Sequence, residues 1–131
     1  MIAVDTNVLV RFLVEDDPEQ MERAKALLRK AVESDTPCYV SDVVLCELVW
    51  VLERTYKIKK LEIAGTLSRL LRARHLAFSS SDRLSRALEA YGSGPGGFAD
   101  YVIREHARDI GCSAVATFDG DLLSEPGFVP V

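Results

Sequence analysis

CYVSDVVLCELVWVL, residues Cys38 to Leu52, joins a short apolar run to a longer one through a serine and an aspartate. Cys38-Tyr39-Val40 reads as a buried strand. Ser41-Asp42 reads as a helix start, because a serine side chain accepts a bond from a free amide of the first turn. From Val43 to Leu52 nine of ten residues are apolar, so this helix is expected to be buried over most of its surface, with Trp50 in the core. Glu47 interrupts it. A carboxylate that is poorly solvated is costly unless it has a partner: a cation, a hydrogen-bond network or the mouth of a cleft. The alternative is a helix turn that faces solvent.

Working outward, strands and helices alternate. Upstream, Ile2-Ala3-Val4 reads as a strand that ends at Asp5-Thr6-Asn7, three residues suited to a turn or a cap. Asp17-Pro18-Glu19-Gln20 combines an N-cap, a proline at the first helical position and a glutamine at the third, opening a helix to about Ser34. The Glu47 helix fades near Tyr56. Downstream, Ile63, Leu67, Leu70 and Leu71 mark a helix from about Lys60, and His75 to Phe78 is a third strand. The serines at 79 to 81 cap a helix carrying Leu84, Leu88 and Tyr91, which runs into the glycine-rich loop 92–97. A last helix starts near Phe98, with Ala99, Val102, Ile103, Ala107 and Ile110 as its stripe and Gly111 as its stop. Ala114 to Phe118 forms a strand ending at Asp119, and Phe128 to Val131 an edge strand, since Pro130 cannot donate to a ladder.

Short apolar strands between helices predict an α/β fold: a short, mainly parallel sheet of about four to five strands, flanked by helices. The 131 residues are expected to form a single domain, 1–131. Hydrophobic and charged fractions of 48% and 27% are ordinary for a globular protein and argue against disorder. The opening MIAVDTNVLVRFL is not a basic leader and no apolar run approaches the ~20 residues of a membrane span, so a cytoplasmic protein is expected. Cys38, Cys46 and Cys112 form no C-x-x-C pair and read as buried reduced thiols. The net charge of −4 argues against binding nucleic acid by bulk electrostatics.

In parallel sheets, ligands bind beyond the carboxyl ends of the strands. Asp5 and Asp119 follow strands directly, Glu47 follows one by about two helical turns, and Asp100 lies in the first turn after the glycine loop. Alone, an aspartate after a strand reads as a turn or cap residue, and Asp100 as an acid at its helix's positive end. Converging on one cleft, the four would repel strongly unless a divalent cation neutralised them. Mg²⁺ suits such an oxygen set. Zinc does not, because His75 and His106 lack ligand spacing and the thiols are scattered. The glycine loop lacks the lysine and Ser/Thr of a nucleotide-binding P-loop.

"VDTNVL", "SDVVLCELVWVL", "FADYVIREHARDIGC" and "ATFDGDL" together resemble the PIN domain, specifically the ribonuclease toxins of VapC type, from residue 1 to about 123. The resemblance implies a PIN-like fold in which Asp5, Glu47, Asp100 and Asp119 are the metal-binding catalytic residues. Asn7 and Thr117 match the polar positions that help arrange the site, and Asp121 stands where many members carry an acid, here read as a cap for the next turn. It further implies a Mg²⁺- or Mn²⁺-dependent endoribonuclease, an RNA substrate, a homodimer and a VapB-type antitoxin that holds the toxin silent. With those four acids set aside, the remaining acids equal the 16 lysines and arginines, so local basic patches can serve RNA. Arg54 and Lys57, with Lys59 and Lys60, form one patch, and Arg69, Arg72 and Arg74 another. Arg11, near the site in sequence, is a further candidate for a phosphate contact. The competing readings are a catalytically silent PIN-like binding module and a Mg²⁺-dependent phosphatase. The phosphatase signature needs an aspartate at position 7 and a threonine at 9, where Asn7 and Leu9 stand.

Overall fold

In the computed structural model, which describes residues 1–131, most helix starts follow from capping side chains. Asp5 accepts from the Val8 amide at 3.3 Å and opens α1 (Thr6–Leu13). Asp17 accepts from the Gln20 amide and, with Pro18 behind it, opens α2 (Pro18–Glu33). Ser41 caps α3 (Asp42–Arg54), while α4 (Lys60–Leu71) begins after Lys59 without a side-chain cap. Ser80 caps α5 (Ser81–Ser93), and α6 (Phe98–Asp109) begins where the Asp100 carboxylate accepts from the Gly97 amide at 2.9 Å. Sequence periodicity does not single out α1, whose eight residues follow a triplet that also suits a plain turn.

Five strands lie between and after these helices: β1 (Ile2–Ala3), β2 (Cys38–Tyr39), β3 (Leu76–Ala77), β4 (Val115–Thr117) and β5 (Phe128–Pro130). All pairings are parallel, as expected. The strands do not form one sheet. β1, β2 and β3 pair in that order, and β4 pairs with β5 separately. Strands of two or three residues supply few ladder bonds, so helix packing sets their placement more than the sheet does. β5 is an edge strand, as Pro130 requires.

The core lies among α3, α4, α5 and α6, with Leu45, Leu48, Ile63, Leu67, Leu84, Tyr91, Phe98 and Tyr101 almost fully buried. Burial of α3 is one-sided, contrary to its apolar composition. Leu45, Leu48, Val49 and Leu52 face inward, while Val43, Glu47 and Trp50 are exposed, Trp50 by 58%. Composition cannot tell an all-round buried helix from one whose outer face is apolar. The α6 stripe also differs: Phe98, Tyr101, Val102 and Glu105 are buried, and Ala99, Ile103 and Ile110 are exposed. Glu105 goes inward because Arg86 and Arg104 reach its two oxygens at 2.8 and 2.9 Å. Arg83 adds a bridge from Asp42 on α3 to Asp109 on α6, at 2.9 and 3.0 Å. Of the thiols, only Cys38 is buried; Cys46 is half-buried and Cys112 exposed.

The glycine-rich segment is tied down. Lys60 Nζ donates to the Gly94 carbonyl at 2.8 Å and sits 4.9 Å from the Tyr91 ring centroid. The buried Tyr101 hydroxyl accepts from the Gly96 amide at 3.1 Å and donates to Glu125 at 2.5 Å. A Cβ at Gly94 would collide with the Tyr101 hydroxyl and the Glu125 carboxylate, whereas one at Gly92 meets nothing within 4 Å. Gly94→Ala is therefore expected to cost about 1–3 kcal/mol. The check is a urea melt with a lower midpoint and unchanged slope, Gly92→Ala staying close to wild type.

Candidate active site

Asp5 and Asn7 stand on either side of the first residue of α1, and both are exposed. Between them, Thr6 turns inward and is 7% exposed. Its hydroxyl donates to Glu47 Oε1 at 2.5 Å across 41 residues of sequence, joining α3 to the turn after β1. This bond is the answer to the glutamate in the apolar helix. Glu47 is exposed, so it avoids the desolvation expected of a buried helix, and it is nevertheless oriented by a buried hydroxyl. Nothing in the sequence around Thr6 marks it for this role, because its partner is on a different element.

The other two carboxylates are each fixed by a backbone amide. Asp100 Oδ2 accepts from Gly97, and Asp119 Oδ1 accepts from the Asp121 amide at 3.0 Å. Thr117 supports the second arrangement, its hydroxyl accepting from the Asp119 amide at 3.0 Å. Asp121 does not cap the following turn with its side chain; its contribution is the backbone amide that holds Asp119.

A pattern runs through all four. One oxygen of Asp5, Glu47, Asp100 and Asp119 is held by a protein donor, the second oxygen has none, and no lysine or arginine pairs with any of them. Elsewhere Arg83 and Arg86 each take two acids. In donor chemistry the set suits a hard, oxygen-seeking cation. It is not gathered as the sequence predicts. No three of the acidic, histidine or cysteine side chains come together closely enough to hold an ion. Thr6 links Glu47 to the Asp5 turn, while Asp119 follows β4 in the second sheet. Burial, reinforced by Asp42, pushes the thiol of Cys46, next to Glu47, up to about 11.

The basic candidates divide. Arg11 is committed, its guanidinium donating to Asp16 at 3.0 Å and to Gln20 at 2.7 Å. The Tyr56 hydroxyl donates to the same Asp16 at 2.7 Å, and this bond, with Arg11, holds Asp16 below the usual carboxylate range. Lys60 is committed to the glycine segment. Arg54 and Lys57 are exposed and pair with no acid. A cleft of about 330 Å³ opens beside Asp5, lined by Asn7, Val8 and Arg11 of α1 and by α2. A larger one, about 410 Å³, lies between α6 and the second sheet and contains none of the four carboxylates.

The PIN-domain family pattern matches residues 2–128. A VapC ribonuclease of Aquifex aeolicus (strain VF5) is 25% identical over 131 residues, an alignment covering 100% of this chain and 96% of that protein. The crystal structure of Mycobacterium tuberculosis VapC20, described as a sarcin-ricin loop cleaving toxin, aligns with 23% identity and a TM-score of 0.42, covering 100% of this chain and 98% of that one. Six helices with short parallel strands, and a family match over nearly every residue, make this chain a member of the PIN-domain family.

Proposed function

We propose that the chain is a Mg²⁺- or Mn²⁺-dependent endoribonuclease of VapC type, a single PIN domain in which Asp5, Glu47, Asp100 and Asp119 hold the ion. The observation that carries this reading is the Thr6–Glu47 bond, which ties the carboxylate of α3 to the Asp5 turn, with neither acid neutralised by a cation of the chain. A divalent ion held by these carboxylates would supply Lewis acidity and activate water for phosphodiester hydrolysis. The chain's own residues set the geometry. Thr6 aims Glu47, the Gly97 amide aims Asp100, and the Asp121 amide with Thr117 aims Asp119. Asn7 offers an amide on the exposed side of Asp5, and Arg54 and Lys57 offer free cations for RNA phosphates.

The partners that go with this reading are RNA, a VapB-type antitoxin and a second copy of the chain. Val43 and Trp50 share the exposed face of α3 with Glu47, giving a protein partner apolar surface beside a carboxylate. No helix is long and apolar enough to cross a membrane; the cytoplasm is the compartment that goes with this reading.

Purified protein incubated with total RNA is expected to cut it in Mg²⁺ or Mn²⁺ and to stop in EDTA. Cleavage indifferent to chelator would sink the metal reading. That no three of the acids gather favours one alternative, a silent PIN-like binding module, for which no cleavage appears under any ion. Thr6→Val tests the aiming of Glu47. Losing the hydroxyl is expected to reduce the Mn²⁺-dependent rate about 10- to 100-fold, in line with the effect of removing a residue that orients a ligand. Circular dichroism should be unchanged, and an unchanged rate would remove Thr6 from the site.

A further inference from the structure

The cleft beside Asp5 has a built interior that the carboxylate set does not explain. Its α2 wall is Gln20, Arg23, Ala24 and Leu27, which fall at i, i+3, i+4 and i+7 and so share one helix face. Its α1 wall is Asn7, Val8 and Arg11. Arg11 is neutralised by Asp16 and spends its Nε on the Gln20 side-chain oxygen at 2.7 Å, which leaves the Gln20 NH₂ as a donor. Arg23 is exposed and bonded to nothing in the chain. Beside Asp5 the cleft therefore offers three donor groups, the Asn7 and Gln20 amides and the Arg23 guanidinium, with one free positive charge. Val8, Ala24 and Leu27 supply an apolar flank. Donors with a free cation match a phosphate, and an apolar flank matches a ribose or base face. The volume, about 330 Å³, lies within the range of small-ligand sites.

We propose that this cleft is the subsite for the nucleotide next to the scissile bond, with Arg23 contacting its phosphate. The assignment deepens the ribonuclease reading and rests on it. Asp5 belongs both to the proposed ion site and to the cleft wall, so a chain seated here has its neighbouring phosphate at the carboxylates. Arg11 acts through Gln20, not on RNA directly.

The test compares wild type with Arg23→Glu, Arg23→Lys and Arg29→Glu. Arg29 gives the same charge change on the same helix, but lies about 200° round from Leu27, away from the cleft. Anisotropy of a labelled single-stranded RNA in EDTA measures binding without turnover, and the same RNA in Mn²⁺ measures cleavage. Arg23→Glu is expected to bind about tenfold more weakly, with a salt dependence shallower by about 0.7 in log–log slope, as for loss of one phosphate contact on a single strand. Arg23→Lys should recover most of the binding, and Arg29→Glu should stay near wild type. If wild type cuts RNA and Arg23→Glu binds and cuts no worse than Arg29→Glu, the subsite is overturned while the ribonuclease reading stands. If Arg23→Glu keeps RNA binding but loses a co-purifying protein, the cleft is a protein-docking groove and the proposal is likewise overturned. A wild type that neither binds nor cuts RNA takes both readings down together.

Discussion

Asp5→Asn is expected to lower the Mn²⁺-dependent cleavage rate by about a thousandfold, equivalent to ~4 kcal/mol of transition-state stabilisation, without unfolding the protein. The two effects separate because Asp5 has two tasks on different features of one side chain. As the N-cap of α1 it needs only an oxygen that accepts from the Val8 amide, and asparagine caps as well as aspartate. As an ion ligand it needs the negative charge, which asparagine lacks. The melting temperature should therefore stay close to wild type while activity collapses. Asp5→Ala removes the cap too and should cost about 1 kcal/mol of stability in addition. An Asp5→Asn protein that cuts RNA at the wild-type rate would exclude Asp5 from the site.

Glu105→Gln should have the largest effect on stability of the charge changes available. Glu105 is 3% exposed and is the shared anion for Arg86 and Arg104, so the amide leaves Arg104 without its only carboxylate, while Arg86 keeps Asp109 at 2.6 Å. Complete loss of a buried pair costs about 3–5 kcal/mol. Arg86 is 38% exposed on its side chain and regains solvation, which brings the expected loss to about 2–3 kcal/mol. The same carboxylate carries a pH signature. Burial pushes its pKa up, but the Arg86 and Arg104 bonds outweigh that and hold it below the ordinary 4.5. A depressed folded pKa means that the unfolded chain takes up the proton first as acid is added. The contribution is thus full above the ordinary value and is lost as the pH falls through the folded one. Asp109, held low chiefly by its Arg83 bond, adds in the same direction. Urea melts from pH 7 to 3 should show wild type losing stability below about pH 4.5, with a shallower loss in Glu105→Gln. Parallel pH profiles would mean that Glu105 is not the titrating group.

What the sequence discloses here depends on how far apart the interacting residues are. Caps act over three residues, so Asp17, Ser41 and Ser80 mark their helices without knowledge of the fold. The β–α alternation is equally local. The Thr6–Glu47 bond spans 41 residues, and the arginines around Glu105 come partly from another helix. No local pattern signals either. Hydropathy misjudges α3 and α6 for a related reason. It counts apolar side chains but does not say which face meets the core, so exposed Trp50 looks like interior and buried Glu105 looks like surface. The division into two sheets lies beyond it too, since strand order is a property of distant segments.

That division leaves β1 and β3 in one sheet, and β4 and β5 in the other, each with an edge that has no partner strand. Unpaired edges are templates on which another chain can lay a strand, and long flat ones seed aggregation. Here each is only two or three residues long. Such a stub offers an intruding strand too few backbone bonds to offset the entropy of fixing it. Brevity, which makes the strands weak contributors to the fold, also protects the protein from self-templated association at high concentration.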